Sequence, residues 1–239
     1  MGDRKKPELL LLHALPLDGT MWAGQLGLLP GATYAPTLTD LGESVEEWAS
    51  AVLNRAKSDR LIVVGCSVGG SCALEIAHAA PDRVAALVLI GTKAAHRPEP
   101  ELHAAAMRTL RGQGLAAAWQ RYWGPLFSAT ADARVVAEAR RLALAQRPEA
   151  VARGVTAFHT RPSRGEALSR AAHPVVVVTG AEDIAPGPKI SAMQATAAPR
   201  GQLHVVPGSG HYVPLERPAE LNAILSAVIA AEHRQPVRA

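Results

Sequence analysis

Cysteine, aromatic side chains and long apolar runs are all scarce in this chain, and each shortage narrows what it can be. Only Cys66 and Cys72 occur in 239 residues. One pair six positions apart is no disulfide framework, and no histidine joins it at metal-ligand spacing. Small residues packed in a tight turn suit a reducing compartment, and a cytoplasmic location is expected. Aromatics make up 4% of the chain. The net charge is +4, but the arginines are scattered among acids, with no basic stripe and interleaved aromatics, so nucleic acid is not an expected partner. No apolar run is long enough to span a membrane. The opening MGDRKKPELLLLHALPL imitates a secretion signal, but its apolar run is short and lacks a small-x-small cleavage site. Lys6 stands where myristoylation needs Ser or Thr.

What is present is an ordinary globular composition, 48% hydrophobic and 19% charged, in a length suited to one α/β domain. Apolar runs at 8–13, 32–36, 60–66, 84–91, 174–180 and 202–206 lack polar alternation, the pattern of strands covered on both faces of a mostly parallel sheet. Helical patterns alternate with them. GESVEEWASAVLNRAK carries a capping box, Ser44 and Glu47, with Val45, Trp48 and Val52 at helical spacing. SVGGSCALEIAHAAPDR follows the strand ending at Cys66, and PAELNAILSAVIAAEHR closes the pattern amphipathically. Strand–helix alternation gives an α/β, doubly wound sheet. Residues 94–170 break the rhythm: they contain no convincing strand and read as three or four helices, near 100–112, 114–123, 131–146 and 148–158. The expected organisation is a core of residues 1–93 and 171–239 with a helical cap, 94–170, inserted between core strands. Such a cap would cover the carboxyl ends of the strands, where open α/β sheets bind ligands.

Gly65-Cys66-Ser67-Val68-Gly69 matches G-x-S-x-G between a strand and a helix, the context that motif requires. Glycines flank a serine held in a strained turn because neighbouring backbone comes too close for side chains. The rival reading, a nucleotide-binding loop, lacks both the G-x-G-x-x-G and the G-K-[ST] spacing. A serine nucleophile needs a base. His211, in VVPGSGHYVPLERPAEL, follows a strand and a Gly-Ser-Gly loop. The base needs an acid to fix its tautomer. Asp183 lies three residues past the strand ending at Gly180, with Glu182 as the adjacent alternative. The order Ser67, Asp183, His211 is one in which serine triads occur on α/β sheets. Oxyanion donors are expected at Val68 N–H and, from the loop after the first strand, Leu15 N–H; His13 is expected to brace that loop. This chemistry calls for no cofactor and no metal.

LLHALPLDGTMWAGQ, VVGCSVGGSCALEIAHAAPDRVAALVLIGT, HPVVVVTGAEDIAPGP and VVPGSGHYVPLERPAELN resemble the α/β-hydrolase superfamily, and more narrowly its small capped carboxylesterases and 3-oxoadipate enol-lactonases. These stretches cover most of the chain outside 94–170. The resemblance implies the same roles for Ser67, Asp183, His211, Leu15 and Val68, and a small-molecule ester or lactone as substrate. Two positions depart from it. His13-Ala14 stands where His-Gly is usual, so the loop must avoid positive φ at Ala14 or accept strain. Cys66 precedes the nucleophile, where it either lines the pocket or packs. Ester hydrolysis through an acyl-enzyme is the expected reaction, with enol-lactone, thioester or C–C hydrolysis, or a non-enzymatic receptor, as the alternatives. Trp22, Trp119 and Trp123 are the candidate substrate-binding residues, with Tyr122 and Phe127 beside them, although aromatics at helical spacing usually anchor helices.

Overall fold

A computed structural model describes residues 6–234. The basic start of the chain, Met1–Lys5, weighed above as part of a leader, lies outside the described residues. Six strands, β1 (Glu8–Leu12), β2 (Thr33–Tyr34), β3 (Leu61–Cys66), β4 (Val84–Ile90), β5 (Val175–Gly180) and β6 (Gly201–Val206), form one sheet in the order β2-β1-β3-β4-β5-β6. Every pairing is parallel. The central strands β1, β3 and β5 are buried at every residue, as uninterrupted Leu, Ile and Val runs demand of strands covered on both faces. β6, at one edge, is mostly exposed: Leu203 and Val205 remain 37% and 44% accessible.

Helices flank the sheet: α1 (Val45–Arg55), α2 (Val68–Ala79), α3 (Pro100–Ala118), α4 (Ala133–Leu144), α5 (Pro148–Thr160), α6 (Gly165–Ser169), α7 (Gly187–Ala197), α8 (Val213–Glu216) and α9 (Pro218–Arg234). In α1 half of the expected capping box forms, with Ser44 Oγ accepting from Glu47 N at 3.2 Å. The Glu47 carboxylate reaches back to Glu43 N rather than to the cap residue's own N–H. Helices α3–α6 all lie between β4 and β5, where the strand pattern lapses. The break expected near residue 113 falls at Gly114, whose φ of 83° is non-helical, and a π-helical turn follows at Trp119–Trp123. The short α6 was not expected from the sequence.

The strand order reverses between β1 and β3, so the crevice at their carboxyl ends is the topological switch point. Leu15 follows β1 and Ser67 follows β3. Gly91, Asp183 and His211 follow β4, β5 and β6 along the same sheet edge. Five separate strand ends thus converge on one site.

Candidate active site

Ser67 occupies φ 55°, ψ −118°, the one positive φ of a non-glycine among the described residues. Its N–H donates to Ile90 O at 2.9 Å, and its carbonyl accepts from Gly70 N and Ser71 N. The turn is tight because backbone meets backbone. A Cβ on Gly65 would run into the Gly69 carbonyl, and one on Gly69 into Leu12 O. Helix α2 starts at Val68 and is buried as far as Ala77, so Ser67 stands at its N-terminus, where the unpaired amides favour negative charge.

His211 Nδ1 and Asp183 Oδ1 are 3.1 Å apart, with both side chains almost wholly buried. Asp183 Oδ1 also accepts from Ala185 N at 2.8 Å, while Oδ2 is buried without a partner. A desolvated carboxylate attracts a positive imidazolium more strongly than a solvated one. Glu182, the adjacent acid, is exposed and accepts instead from Ala129 N at 2.9 Å. The histidine loop is held from the helical segment: His211 N donates to Leu126 O at 2.8 Å, and buried Glu216 accepts from both Gly210 N and Ser128 N. Gly91, at φ 53°, passes so close that a Cβ there would stand 2.8 Å from His211 Nδ1.

Leu15 N–H and Val68 N–H have no hydrogen-bond partner among the described residues. The loop bearing Leu15 is braced on two sides. His13, fully buried, accepts from Leu38 N at Nε2 (2.7 Å), so Nδ1 carries the proton and donates to Ala14 O at 3.1 Å. Burial lowers its pKa to about 4, keeping the ring neutral. From the other side Tyr212 Oη donates to Leu15 O at 2.9 Å. Ala14 avoids positive φ, so its Cβ brings no strain to the loop.

Ser67, His211 and Leu15 line one cavity of about 580 Å³. Its walls carry apolar side chains from the helical insert, among them Leu110, Trp123 and Phe158, and exposed Leu102 and Ile184 also line it. Of the three tryptophans expected at substrate, Trp123 lines this cavity. Trp22 and Trp119 are not. The 3₁₀ turn Gly19–Trp22, capped by Asp18, puts Trp22 wholly in the core. Trp119 is buried 6.0 Å from the Phe127 ring, which in turn stacks on Tyr212 at 4.7 Å. Packing claims both indoles. Cys66 and Cys72 are buried, burial pushes their thiols well above the usual range, and neither lines the cavity. Tyr212 and Gly91 were not expected as part of this site; the Tyr212 hydroxyl finds its partner 197 residues away. A second, larger concavity of about 900 Å³, between Arg60, Arg83, Arg164 and Glu232, contains none of these groups.

The arrangement can hold a carbonyl carbon near Ser67 and offer two amides to its oxygen. The Alpha/beta hydrolase family pattern matches residues 9–224. The chain belongs to this family. It is 29% identical, over 94% of its own length and 98% of the relative's, to a pimeloyl-[acyl-carrier protein] methyl ester esterase of Aromatoleum aromaticum. Among solved structures it is similar to a thermophilic esterase from Thermogutta terrifontis, studied with malate bound. That match has a TM-score of 0.86 at 25% identity, over 96% of this chain and 91% of that one. An enol-lactonase from Burkholderia xenovorans shares the fold, with a TM-score of 0.82 at 21% identity over 96% and 92% of the two chains. No helix among the described residues is long and apolar enough to cross a membrane.

Proposed function

We propose that this α/β hydrolase cleaves a carboxylic ester through an acyl-enzyme on Ser67. The observation that carries the reading is the His211–Asp183 contact at the same sheet edge as the strained Ser67 turn, all within a chain of this family. His211 accepts the Ser67 proton at Nε2 as Oγ attacks the acyl carbon. Asp183 accepts from Nδ1–H, which fixes the tautomer and stabilises the imidazolium. The oxyanion takes hydrogen bonds from Leu15 N and Val68 N, each such donor being worth about 3 kcal/mol in the transition state. His211 then protonates the leaving alcohol, and water, activated by the same imidazole, releases the acid. Among the described residues Ser67 Oγ has no hydrogen-bond partner. In serine hydrolases that bond often tightens only as substrate binds.

The ester class is supported by the relative named a methyl ester esterase and by the esterase of similar structure. The apolar walls suit an aliphatic or aromatic acyl group. The test is a chain-length series of p-nitrophenyl esters run beside a panel of lactones. Ester turnover exceeding lactone opening supports the reading. Lactone opening that is faster by orders of magnitude would replace it with lactonase activity.

A further inference from the structure

One charged group in the catalytic cavity is not used by this chemistry. Arg161, at the end of α5, is only 6% exposed, yet lines the cavity that holds Ser67 and His211. Its Nη1 donates to Phe158 O, and its guanidinium carbon sits 4.0 Å from the centre of the Phe158 ring. No carboxylate lies within ion-pair distance of it among the described residues, and Nε and Nη2 have no hydrogen-bond partner there. A buried cation is ordinarily paired, because removing one from water is costly. Burial, partly offset by the charge of Glu99, lowers this guanidinium to about 10, which leaves it charged at neutral pH. An aromatic face below and a carbonyl on Nη1 hold the guanidinium at the cavity wall and leave Nε and Nη2 without an acceptor.

Its neighbours do not supply the missing anion. His159 lines the same wall but is kept neutral, its pKa lowered to about 4 by burial, by His103 and by Arg161 itself. His96 is lowered in the same direction. Glu99 lines the cavity too and its charge favours the Arg161 cation, but it is exposed and forms no ion pair with it, so water screens the attraction. Exposed Lys93 adds a second cation to the lining. The balance is two cations against one solvated carboxylate, with the buried cation in no ion pair.

We propose that Arg161 receives a free carboxylate of the substrate, so that the favoured esters are monoesters of dicarboxylic acids, or esters otherwise bearing an acid at the far end of the acyl chain. The proposal rests on the Ser67 ester hydrolysis set out above. The planar guanidinium presents paired N–H donors that match a carboxylate, and in a cavity shielded by apolar walls the contact is stronger than at a surface. It orients the acyl chain with its ester at Ser67. A hydrogen bond to a charged group in such a setting is worth roughly a ten- to hundredfold preference.

The experiment compares p-nitrophenyl monoesters of succinic to suberic acid with the same compounds methylated at the free acid. The wild-type protein is expected to show a kcat/KM at least tenfold higher for the best acid than for its neutral match, most of it in KM. In Arg161→Met that acid-to-neutral ratio falls to near one; Arg161→Lys recovers part of it. Equal rates for acid and neutral ester in the wild type, a measurement that needs no variant, overturn the proposal. So does a variant in which both rates fall together and the ratio stays, which marks a purely structural role. Calorimetric binding of glutarate to Ser67→Ala reads the subsite without turnover. Binding that disappears in Ser67→Ala/Arg161→Met supports the subsite even if no ester is cleaved, in which case the hydrolysis reading is what fails. Glutarate binding that survives removal of Arg161 overturns the subsite alone.

Discussion

Tyr212→Phe removes one oxygen from the molecule and tests how the Leu15 loop is held. Tyr212 is fully buried, and its hydroxyl donates to Leu15 O at 2.9 Å. Phenylalanine keeps the ring and therefore the 4.7 Å stack on Phe127. The loss is confined to one hydrogen bond and one orphaned carbonyl, an expected cost of about 1–3 kcal/mol in stability. The catalytic effect is separable from that cost. Deleting an oxyanion donor outright lowers kcat by about 10²–10³. Here Leu15 N–H stays but loses the anchor on its own residue's carbonyl, while the His13 brace to Leu38 N persists. A donor displaced rather than deleted should lower kcat about ten- to hundredfold, with KM little changed, because the contact matters only once the oxyanion forms. Urea unfolding gives the first quantity, and steady-state hydrolysis of a p-nitrophenyl ester gives the second. A variant destabilised as expected whose kcat stays within about twofold of the wild type would refute the Tyr212 hydrogen bond as what positions Leu15 N–H.

Asp183→Asn is expected to lower kcat about 10⁴-fold with the fold intact, since an amide facing Nδ1 selects the wrong imidazole tautomer; a loss under about tenfold, with circular dichroism unchanged, would argue against the pairing. Gly91→Ala places a methyl group 2.8 Å from His211 Nδ1 and 3.2 Å from Asp183 Oδ2, at φ 53°. The imidazole must move, and roughly a hundredfold loss of kcat is expected, against a stability cost of only about 1–2 kcal/mol from the left-handed conformation; unchanged kinetics would show that the ring has room. Stability should also depend on His13. Its folded pKa of about 4 lies below the ordinary 6.5, so between those values the unfolded chain binds a proton that the folded chain refuses. Stability therefore falls as pH drops from 6.5 towards 4, by on the order of 3 kcal/mol for this residue. His159, lowered to about the same value, acts in the same direction. Urea unfolding at pH 7.5, 6 and 5 should show a shallower pH dependence in His13→Gln than in the wild type, and parallel curves would contradict the burial of a neutral ring.

The sheet was legible because burial on both faces leaves no room for polar alternation, and apolar runs such as LIVVGC and VVVVTG sit within a residue or two of the observed strands. The same logic weakens at the margins: β2 is two residues long, and β6 is an exposed edge. The insert was legible mainly as a lapse in that pattern, with Gly114 marking its internal break. At the candidate site, Ser67, Asp183 and His211 could be singled out because each follows its own strand, and glycines signal the two tightest turns. What could not be read was long-range pairing. No local pattern tells that Tyr212 reaches Leu15, that Glu216 ties the histidine loop to Ser128, or that Arg161 ends inside the cavity without a carboxylate. The tryptophans show the converse limit. Residue type alone does not separate a cavity wall from a core: Trp22 and Trp119 are wholly taken up by packing, while Trp123, also buried, lines the cavity.

The central claim is that Ser67 is the nucleophile, and covalent labelling tests it most directly. A fluorophosphonate should add once to the wild-type protein, peptide mass mapping should place the adduct on Ser67, and ester hydrolysis should disappear in step with labelling. Ser67→Ala should take no label and hydrolyse no ester while unfolding at a similar urea concentration. An adduct on another residue, or ester hydrolysis that persists in Ser67→Ala, would contradict the account.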